Sequence, residues 1–229
     1  MKKLTRLSGK KNGNTDVNVI DTMSDILNVL KKSVFAGMFI GIAGWGYLVN
    51  PVLGMFLFCV GLIGVIKYNL VLFTGSAGFI QEWQDALLIV VCLFGNLVGC
   101  AAIALLTQLS PYELYDISTQ IVESRLQLGW FNCGMLSICC GILMSFAVKF
   151  AKFAEVEVHE HFSNWLPLLF AVPAFILCGF PHCIADAFYN LIYICETPTI
   201  LIPFKEILIY YSSIVIGNFI GCNCYRILS

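Results

Sequence analysis

The stretch Gly179-Phe180-Pro181-His182-Cys183-Ile184-Ala185-Asp186 places a proline, a histidine and a carboxylate in the middle of an apolar run over residues 165–194. A run of this length is typical of a membrane-spanning helix, which needs roughly 20 apolar residues. In hydrocarbon, a Gly-x-Pro interruption is tolerated only where protein or a water-filled cavity surrounds the backbone. The stretch therefore predicts a broken helix. His182 either faces a pathway or bonds a carbonyl between helices as a structural residue.

The composition of the whole chain also indicates a membrane protein. Of its 229 residues, 59% are hydrophobic and 12% are charged, whereas charged residues make up about 25% of a soluble globular domain. The composition therefore predicts an integral membrane protein and excludes a soluble globular domain. The basic residues do not cluster on an aromatic-rich polar segment, so no nucleic-acid partner is expected.

The cysteines and histidines do not predict a metal or redox site. Most of the eleven cysteines lie inside apolar runs, where cysteine behaves as a small hydrophobe. The chain has no two Cys-x-x-Cys motifs at zinc spacing. The segment 149–163 contains residues of metal-binding types, but a solvated charged loop explains them better; they are Glu155, Glu157, His159, Glu160 and His161. We expect no metal, no cofactor and no catalytic residue.

Six apolar segments predict six transmembrane helices, at about residues 33–48, 52–73, 86–106, 130–148, 165–194 and 207–224. In the first, Gly37 and Gly41 form a Gly-x-x-x-Gly face on which another helix can approach closely. A polar loop that includes Glu123 and Arg125 is expected between the third and the fourth. Residues 1–32 are expected to form an N-terminal tail, in which the segment 16–32 has the apolar spacing of an amphipathic interfacial helix. Residues 33–229 would form the six-helix domain.

The distribution of basic residues predicts the orientation in the membrane. Seven of the thirteen Lys and Arg residues precede the first predicted span, and Lys149 and Lys152 follow the fourth. Cytoplasmic loops carry the excess of basic residues. With an even number of spans, both termini and the segment 149–163 are therefore expected in the cytoplasm, in a multi-pass protein of the cell membrane.

The first three spans and the last three resemble each other. The second is interrupted near Phe73-Thr74-Gly75-Ser76, as the fifth is near His182, and the third and sixth carry the motif Gly-Asn-x-x-Gly, at Gly95-Asn96-Leu97-Val98-Gly99 and Gly217-Asn218-Phe219-Ile220-Gly221. Because each copy has three spans, an odd number, the two copies cross the membrane in opposite orientations. Broken helices at equivalent places in inverted repeats mark a substrate path near the membrane midplane. Unless the glycines coincide by chance, Thr74 and His182 should meet across a pore.

With these motifs the chain resembles the formate/nitrite transporter (FNT) family over about residues 16–227. The segments that carry the resemblance are Leu72-Phe73-Thr74-Gly75, both Gly-Asn-x-x-Gly motifs, and the opening stretch continued to Ala187-Phe188, which is similar to the family's Gly-Phe-Glu-His-Ser-x-Ala-Asn-Met-Phe. The resemblance implies an aquaporin-like, all-α fold. It also implies a homopentamer with one pore per protomer for small monovalent anions of weak acids, such as formate, nitrite or hydrosulfide.

The resemblance also implies roles for particular residues. His182 would be the family's central histidine, and Thr74 the threonine opposite it. Phe58 and Leu62 would form the apolar constriction that faces one side of the membrane, and Phe175 the constriction that faces the other.

Some positions depart from the family pattern. Pro181 and Asp186 replace the family's Glu and Asn around the histidine, and Ile138 stands where an asparagine is expected. The family's vestibule lysine has no counterpart unless Arg125 serves. Because Asp186 follows His182 by four residues, the two side chains are expected to share a helix face. The carboxylate would then interact with the imidazole, or alternatively brace the backbone.

Three functions are compatible with the sequence. A bare anion crosses apolar rings only at a large free-energy cost, whereas histidine exchanges a proton near neutral pH. The first hypothesis is therefore that an anion meets protonated His182 and passes as the neutral acid. The second is a pore for a neutral molecule such as hydrogen sulfide or ammonia. The third is an intramembrane serine hydrolase that uses Ser76 and His182, although the spacing does not fit rhomboid proteases.

Overall fold

The chain is described here by a computed structural model that covers residues 19–79, 83–154 and 165–224. These residues form helices and turns, without a β-strand among them. The helices are α1 (Val19–Val49), α2 (Pro51–Lys67), α3 (Phe73–Ser76), α4 (Trp83–Thr107), α5 (Tyr115–Ala154), α6 (Leu166–Leu177), α7 (Cys183–Glu196) and α8 (Phe204–Cys224). Single 3-10 turns follow α3 at Ala77–Phe79 and α7 at Thr199–Leu201. The all-α class is confirmed for the described part.

Within the described residues, four helical segments are long and apolar enough to cross a membrane: Ser24–Val49, Asp85–Thr107, Tyr115–Ala151 and Phe204–Cys224. Helices α2 and α6 are apolar but shorter. Each is followed by a non-helical link and then by a second helix, α3 or α7. The two links, residues 68–72 and 178–182, lie at the interruptions that the sequence predicts. The sequence predicts a second span that ends at residue 73, whereas α2 ends at Lys67.

Helices α2 and α6 end in the same way. Each is followed by a residue with positive φ, Asn69 with φ 50° and Gly179 with φ 68°. The next amide N–H then donates to a carbonyl of the last helical turn, at 2.9 Å in both cases. This left-handed C-terminal cap favours glycine or asparagine. It turns the chain out of the helix and into the link.

The segment 115–128, expected as a polar loop, is the first part of α5. Buried residues recur every four positions from Leu114, just before the helix, to Ser118 and Val122 within it, so one face packs inward while charged side chains such as Glu123 stay exposed. The helical path is interrupted at Gly129, which has φ 75° and ψ 162°. The prediction of a loop was wrong because this part of α5 has a narrow apolar face and many charged residues.

Helix α1 runs without interruption through the expected boundary at residue 32. The division into a tail and a six-helix domain stays a prediction, because residues 1–18 lie outside the described residues.

Close helix contacts bring the Gly-Asn-x-x-Gly motifs toward the links. Helix α1 packs on α4, and α5 packs on α8. At both crossings a glycine lies against the backbone carbonyl of an asparagine, Gly37 against Asn96 and Gly141 against Asn218. A Cβ atom at either glycine would overlap that carbonyl, so only glycine allows the two helices to approach this closely.

Candidate functional site

Asn96 holds the link that leads into α3. Its side-chain oxygen accepts from the backbone N–H of Phe73 at 2.9 Å. Its amide group donates to the carbonyls of Val71 at 3.0 Å and Ser33 at 2.8 Å. A backbone that leaves helical geometry inside a membrane must find such partners, because lipid offers none.

Asn218 holds the link that leads into α7 with an equivalent set of bonds. Its side-chain oxygen accepts from the N–H of Cys183 at 2.8 Å. Its amide group donates to the carbonyls of Pro181 at 3.1 Å and Ser137 at 2.8 Å. The sequence singled out both asparagines as a repeated motif but did not predict that they brace the interrupted backbone.

A cysteine directly follows each Gly-Asn-x-x-Gly motif and bonds across the fold. The thiol of Cys100 donates to the carbonyl of Ile184 in α7 at 3.5 Å. The thiol of Cys222 donates to the carbonyl of Thr74 in α3 at 3.1 Å. Each half of the chain therefore contacts the short helix of the other half. The shared sequence position was the signal that could have identified these two cysteines.

The two links bring Thr74 and His182 together. His182 Nε2 lies 3.0 Å from Thr74 Oγ1, and both side chains are buried. His182 Nδ1 accepts from the backbone N–H of Ala185 at 3.3 Å and so caps the start of α7. A neutral imidazole that accepts at Nδ1 carries its proton at Nε2. In this arrangement His182 therefore donates to Thr74.

Asp186 bonds the backbone of His182 and a cation on α5. One carboxylate oxygen accepts from the N–H of His182 at 2.9 Å, and the other accepts from Arg125 Nε at 2.7 Å. Arg125 Nη1 also donates to the carbonyl of Gly179 at 3.1 Å. Arg125 thus contacts both the link, at Gly179, and the first turn of α7, at Asp186. Neither of these bonds involves the imidazole ring of His182. The contacts therefore match the alternative in which Asp186 braces the backbone.

A cavity of about 390 Å³, called the vestibule below, reaches His182 from the end of the fold that carries the Asn50 to Pro51 turn. Its lining is mixed, with aromatic side chains from several helices and both polar and apolar side chains, such as Ile117 and Ile121, along α5. The residues that define it here are Tyr47, Phe58, Gln120, Ser124, Arg125, Phe175, Phe180, His182, Asp186 and Tyr189. Arg125, which the sequence placed in a loop, therefore lies in the same cavity as the central histidine.

A second cavity of about 10 Å³ adjoins the vestibule. Phe58, Phe175 and His182 line both cavities, and Leu62 lines only the small one. The ring of Phe175 stacks on His182 with centroids 5.5 Å apart. The family resemblance implies opposite constrictions for Phe58 and Phe175, whereas the two side chains lie together because α2 and α6 pack side by side. The small cavity is close to the least volume that holds a water molecule.

The remaining residues singled out in the sequence do not contribute to the two cavities or lie outside the described residues. Ile138 lies on α5 and lines neither cavity. In the part of the chain that the structure describes, no group of three metal-binding side chains occurs. The candidate loop ligands at 155–161 lie outside the described residues.

Comparisons with known proteins agree with this geometry. A family model described as Formate/nitrite transporter matches residues 11–226. The formate-nitrite transporter of Plasmodium falciparum (isolate 3D7) is 26% identical over 200 residues, covering 71% of this chain and 63% of that protein. The formate-nitrite transporter of Plasmodium knowlesi (strain H) is 22% identical over 200 residues, covering 71% of this chain and 62% of that protein. The chain thus spans less than two thirds of these relatives.

Two solved structures share the fold. A pentameric formate channel with formate bound has a TM-score of 0.76 and 22% identity, covering 89% of this chain and 95% of the channel. An FNT family ion channel has a TM-score of 0.70 and 19% identity, covering 87% of each chain.

Proposed function

The chain belongs to the formate/nitrite transporter family, and on that premise we propose that it is a membrane channel or transporter for small monovalent anions of weak acids, of the formate, nitrite and hydrosulfide class. The observation that carries the proposal is the buried contact of His182 with Thr74, because His182 also lines the vestibule beside Phe58 and Phe175. A proton-exchanging side chain beside an apolar constriction suits a solute that must shed its charge to pass.

The proposed architecture consists of two inverted three-helix repeats with six spans, of which the second and fifth are broken. The matched bonds of the two asparagines, the two cysteines and the two left-handed caps support it. Each asparagine bonds its own half's link, and each cysteine bonds the other half's short helix. We further propose a homopentamer in the cell membrane, with residues 1–32 as a cytoplasmic tail, 33–229 as the transporter domain, and both termini in the cytoplasm.

The proposed mechanism couples the anion to a proton. A bare anion would lose its hydration between Phe58 and Phe175 at a large free-energy cost, whereas the neutral acid would not. His182 would supply the proton. An imidazolium has no lone pair at Nδ1, so protonation must release the bond from the N–H of Ala185. Proton transfer and the cap of α7 are therefore linked in this mechanism.

A second candidate is a pore for a neutral molecule such as hydrogen sulfide or ammonia. The apolar constriction and the mutual neutralisation of Arg125 and Asp186 favour it, because neither feature alone requires an anion. The serine hydrolase alternative has no such support. His182 Nε2 is paired with Thr74 rather than with Ser76, and the family consists of transporters.

Uptake into proteoliposomes separates these candidates. Stopped-flow rates are measured for formate, nitrite, hydrosulfide, acetate, lactate and ammonia, with membrane current recorded in parallel. The proposal expects weak-acid uptake that rises as the external pH falls and carries no net current. Uptake confined to ammonia and hydrogen sulfide would favour the neutral pore, and a pH-independent current would contradict proton coupling.

A further inference from the structure

The peptide plane between Pro181 and His182 is held at both of its ends. Its carbonyl, that of Pro181, accepts from the side chain of Asn218 at 3.1 Å. Its N–H, that of His182, donates to a carboxylate oxygen of Asp186 at 2.9 Å. Tilting this plane would swing the Cα atom and the ring of His182. The position of the imidazole therefore depends on Asp186 as well as on Asn218.

The ring of His182 needs this restraint to keep its contact with Thr74. Nε2 lies 3.0 Å from Thr74 Oγ1, which is the contact that carries the proposed function. Nδ1 accepts from the N–H of Ala185 at 3.3 Å, a distance longer than that of most hydrogen bonds in proteins. The backbone bond to Asp186 is shorter and does not depend on the protonation state of the ring. It is therefore the firmer restraint on His182.

Asp186 is in turn held by Arg125. Its second oxygen accepts from Arg125 Nε at 2.7 Å, and its side chain is only 3% exposed. Arg125 Nη1 also donates to the carbonyl of Gly179 at 3.1 Å. Because the guanidinium is planar and rigid, these two bonds fix the distance between Gly179, before His182, and Asp186, after it. Both bonds of the guanidinium thus act on the chain that carries the histidine.

We propose that Arg125 is a positioning residue for His182, which holds Asp186 and Gly179 and thereby keeps the imidazole against Thr74. Arg125 acts through Asp186 in this role and not by binding the solute. The inference rests on the proposed transport function, because the position of His182 affects uptake only if this residue exchanges the proton. Loss of Arg125 should lower the maximal uptake rate and leave the half-saturation concentration unchanged. A cation that bound the solute directly would instead set the half-saturation concentration.

The first test compares formate uptake by Arg125→Gln, Asp186→Asn and the double variant in proteoliposomes. Arg125→Gln leaves a buried carboxylate without its cation, and Asp186→Asn leaves one oxygen for two donors, Arg125 Nε and the N–H of His182. Each single variant should lose about tenfold in maximal rate, the effect of one charge-assisted hydrogen bond. In the double variant the two amides can bond each other while one still accepts from His182, so the maximal rate should return to within about threefold of the wild type. A double variant as slow as Arg125→Gln would overturn the inference.

A milder variant, Asp186→Glu, covers the case in which the members of this cycle fail to assemble. It keeps the negative charge but moves the carboxylate by one methylene group, so it cannot bond both Arg125 and the N–H of His182 without displacing the first turn of α7. The maximal rate should fall about tenfold, with the half-saturation concentration within about twofold of the wild type. The matched control is Glu123→Asp on α5, an exposed carboxylate outside both cavities, which should change neither value. Wild-type kinetics in Asp186→Glu would contradict the inference.

Nitrogen-15 NMR of the imidazole separates failure of this inference from failure of the proposed function. The chain has three histidines, so His182→Ala identifies the signals of His182 in protein labelled at histidine. Arg125→Gln should replace these signals by shifted or multiple ones, and the double variant should restore them. If the signals respond in this way but no flux is found, the positioning role stands and the transport proposal fails. If flux is present but neither the signals nor the maximal rate responds to Arg125→Gln, the transport proposal stands and the positioning role is wrong.

Discussion

Replacing Asn218 by alanine should destabilise the protein, because this one side chain satisfies three backbone groups around the link before α7. It bonds the N–H of Cys183 and the carbonyls of Pro181 and Ser137 at 2.8 to 3.1 Å. Hydrogen bonds between membrane helices contribute roughly 0.6 to 1.7 kcal/mol each. Losing all three should therefore lower the free energy of unfolding by about 2 to 5 kcal/mol. The link positions His182, so the uptake rate should fall as well.

The assay is unfolding in mixed detergent micelles, with weak-acid uptake measured on the same preparations. The matched control is Asn132→Ala, since Asn132 is exposed and, among the described residues, its side chain bonds only the carbonyl of Leu128 in its own helix. That change should alter the free energy of unfolding by less than about 0.5 kcal/mol. If the two variants unfold alike, the three bonds do not brace the link and the reasoning fails.

Three more perturbations address the constriction, the ion pair and the crossing thiols. Phe175→Ala should raise the passive permeability of proteoliposomes severalfold, because water can then wet the constriction. The control Phe170→Ala should not raise it, because the side chain of Phe170 is 72% exposed. Equal permeability of the two variants would show that Phe175 does not line the pore. Asp186→Asn should lower the free energy of unfolding by about 1.5 to 3 kcal/mol through loss of the charge-assisted bond to Arg125; an unchanged free energy of unfolding would show that the ion pair does not stabilise the fold. Cys222→Ala should lower the thermal midpoint of unfolding by a few degrees. Cys222→Ser should lower it much less, because a hydroxyl can still donate to the carbonyl of Thr74. Equal midpoints for the two variants would show that this bond is not stabilising.

Local signals in the sequence were enough to predict where the helices are interrupted. Gly179 and Pro181, two residues apart, strongly disfavour a continuous helix in the middle of an apolar run, so the break follows from local chemistry. The same reasoning located the interruption near Thr74. The contact between Thr74 and His182 then followed from the assumption that the two halves are related, and the structure brings the two side chains within hydrogen-bond distance.

The remaining site depends on contacts between residues far apart in the chain. Arg125 was assigned to a loop because its surroundings are charged, and only the packing of α5 shows that its side chain meets Asp186. The spacing of Asp186 from His182 predicted a shared helix face, but the carboxylate bonds the backbone instead of the ring. Phe58 and Phe175 could not be placed at one level, since sequence spacing does not fix how α2 and α6 align.

The central claim is that a weak acid crosses with a proton by way of His182. The most direct measurement is uptake of labelled formate against its gradient, driven by an imposed pH gradient with the membrane voltage clamped by potassium and valinomycin. Electroneutral coupling of one proton to one formate predicts initial uptake well above that of protein-free vesicles, toward an accumulation of about tenfold per pH unit. It also predicts that assembled His182→Ala protein gives only the protein-free rate. Uptake by that variant at the wild-type rate, or a wild-type rate that ignores the pH gradient and follows the voltage, would contradict the claim.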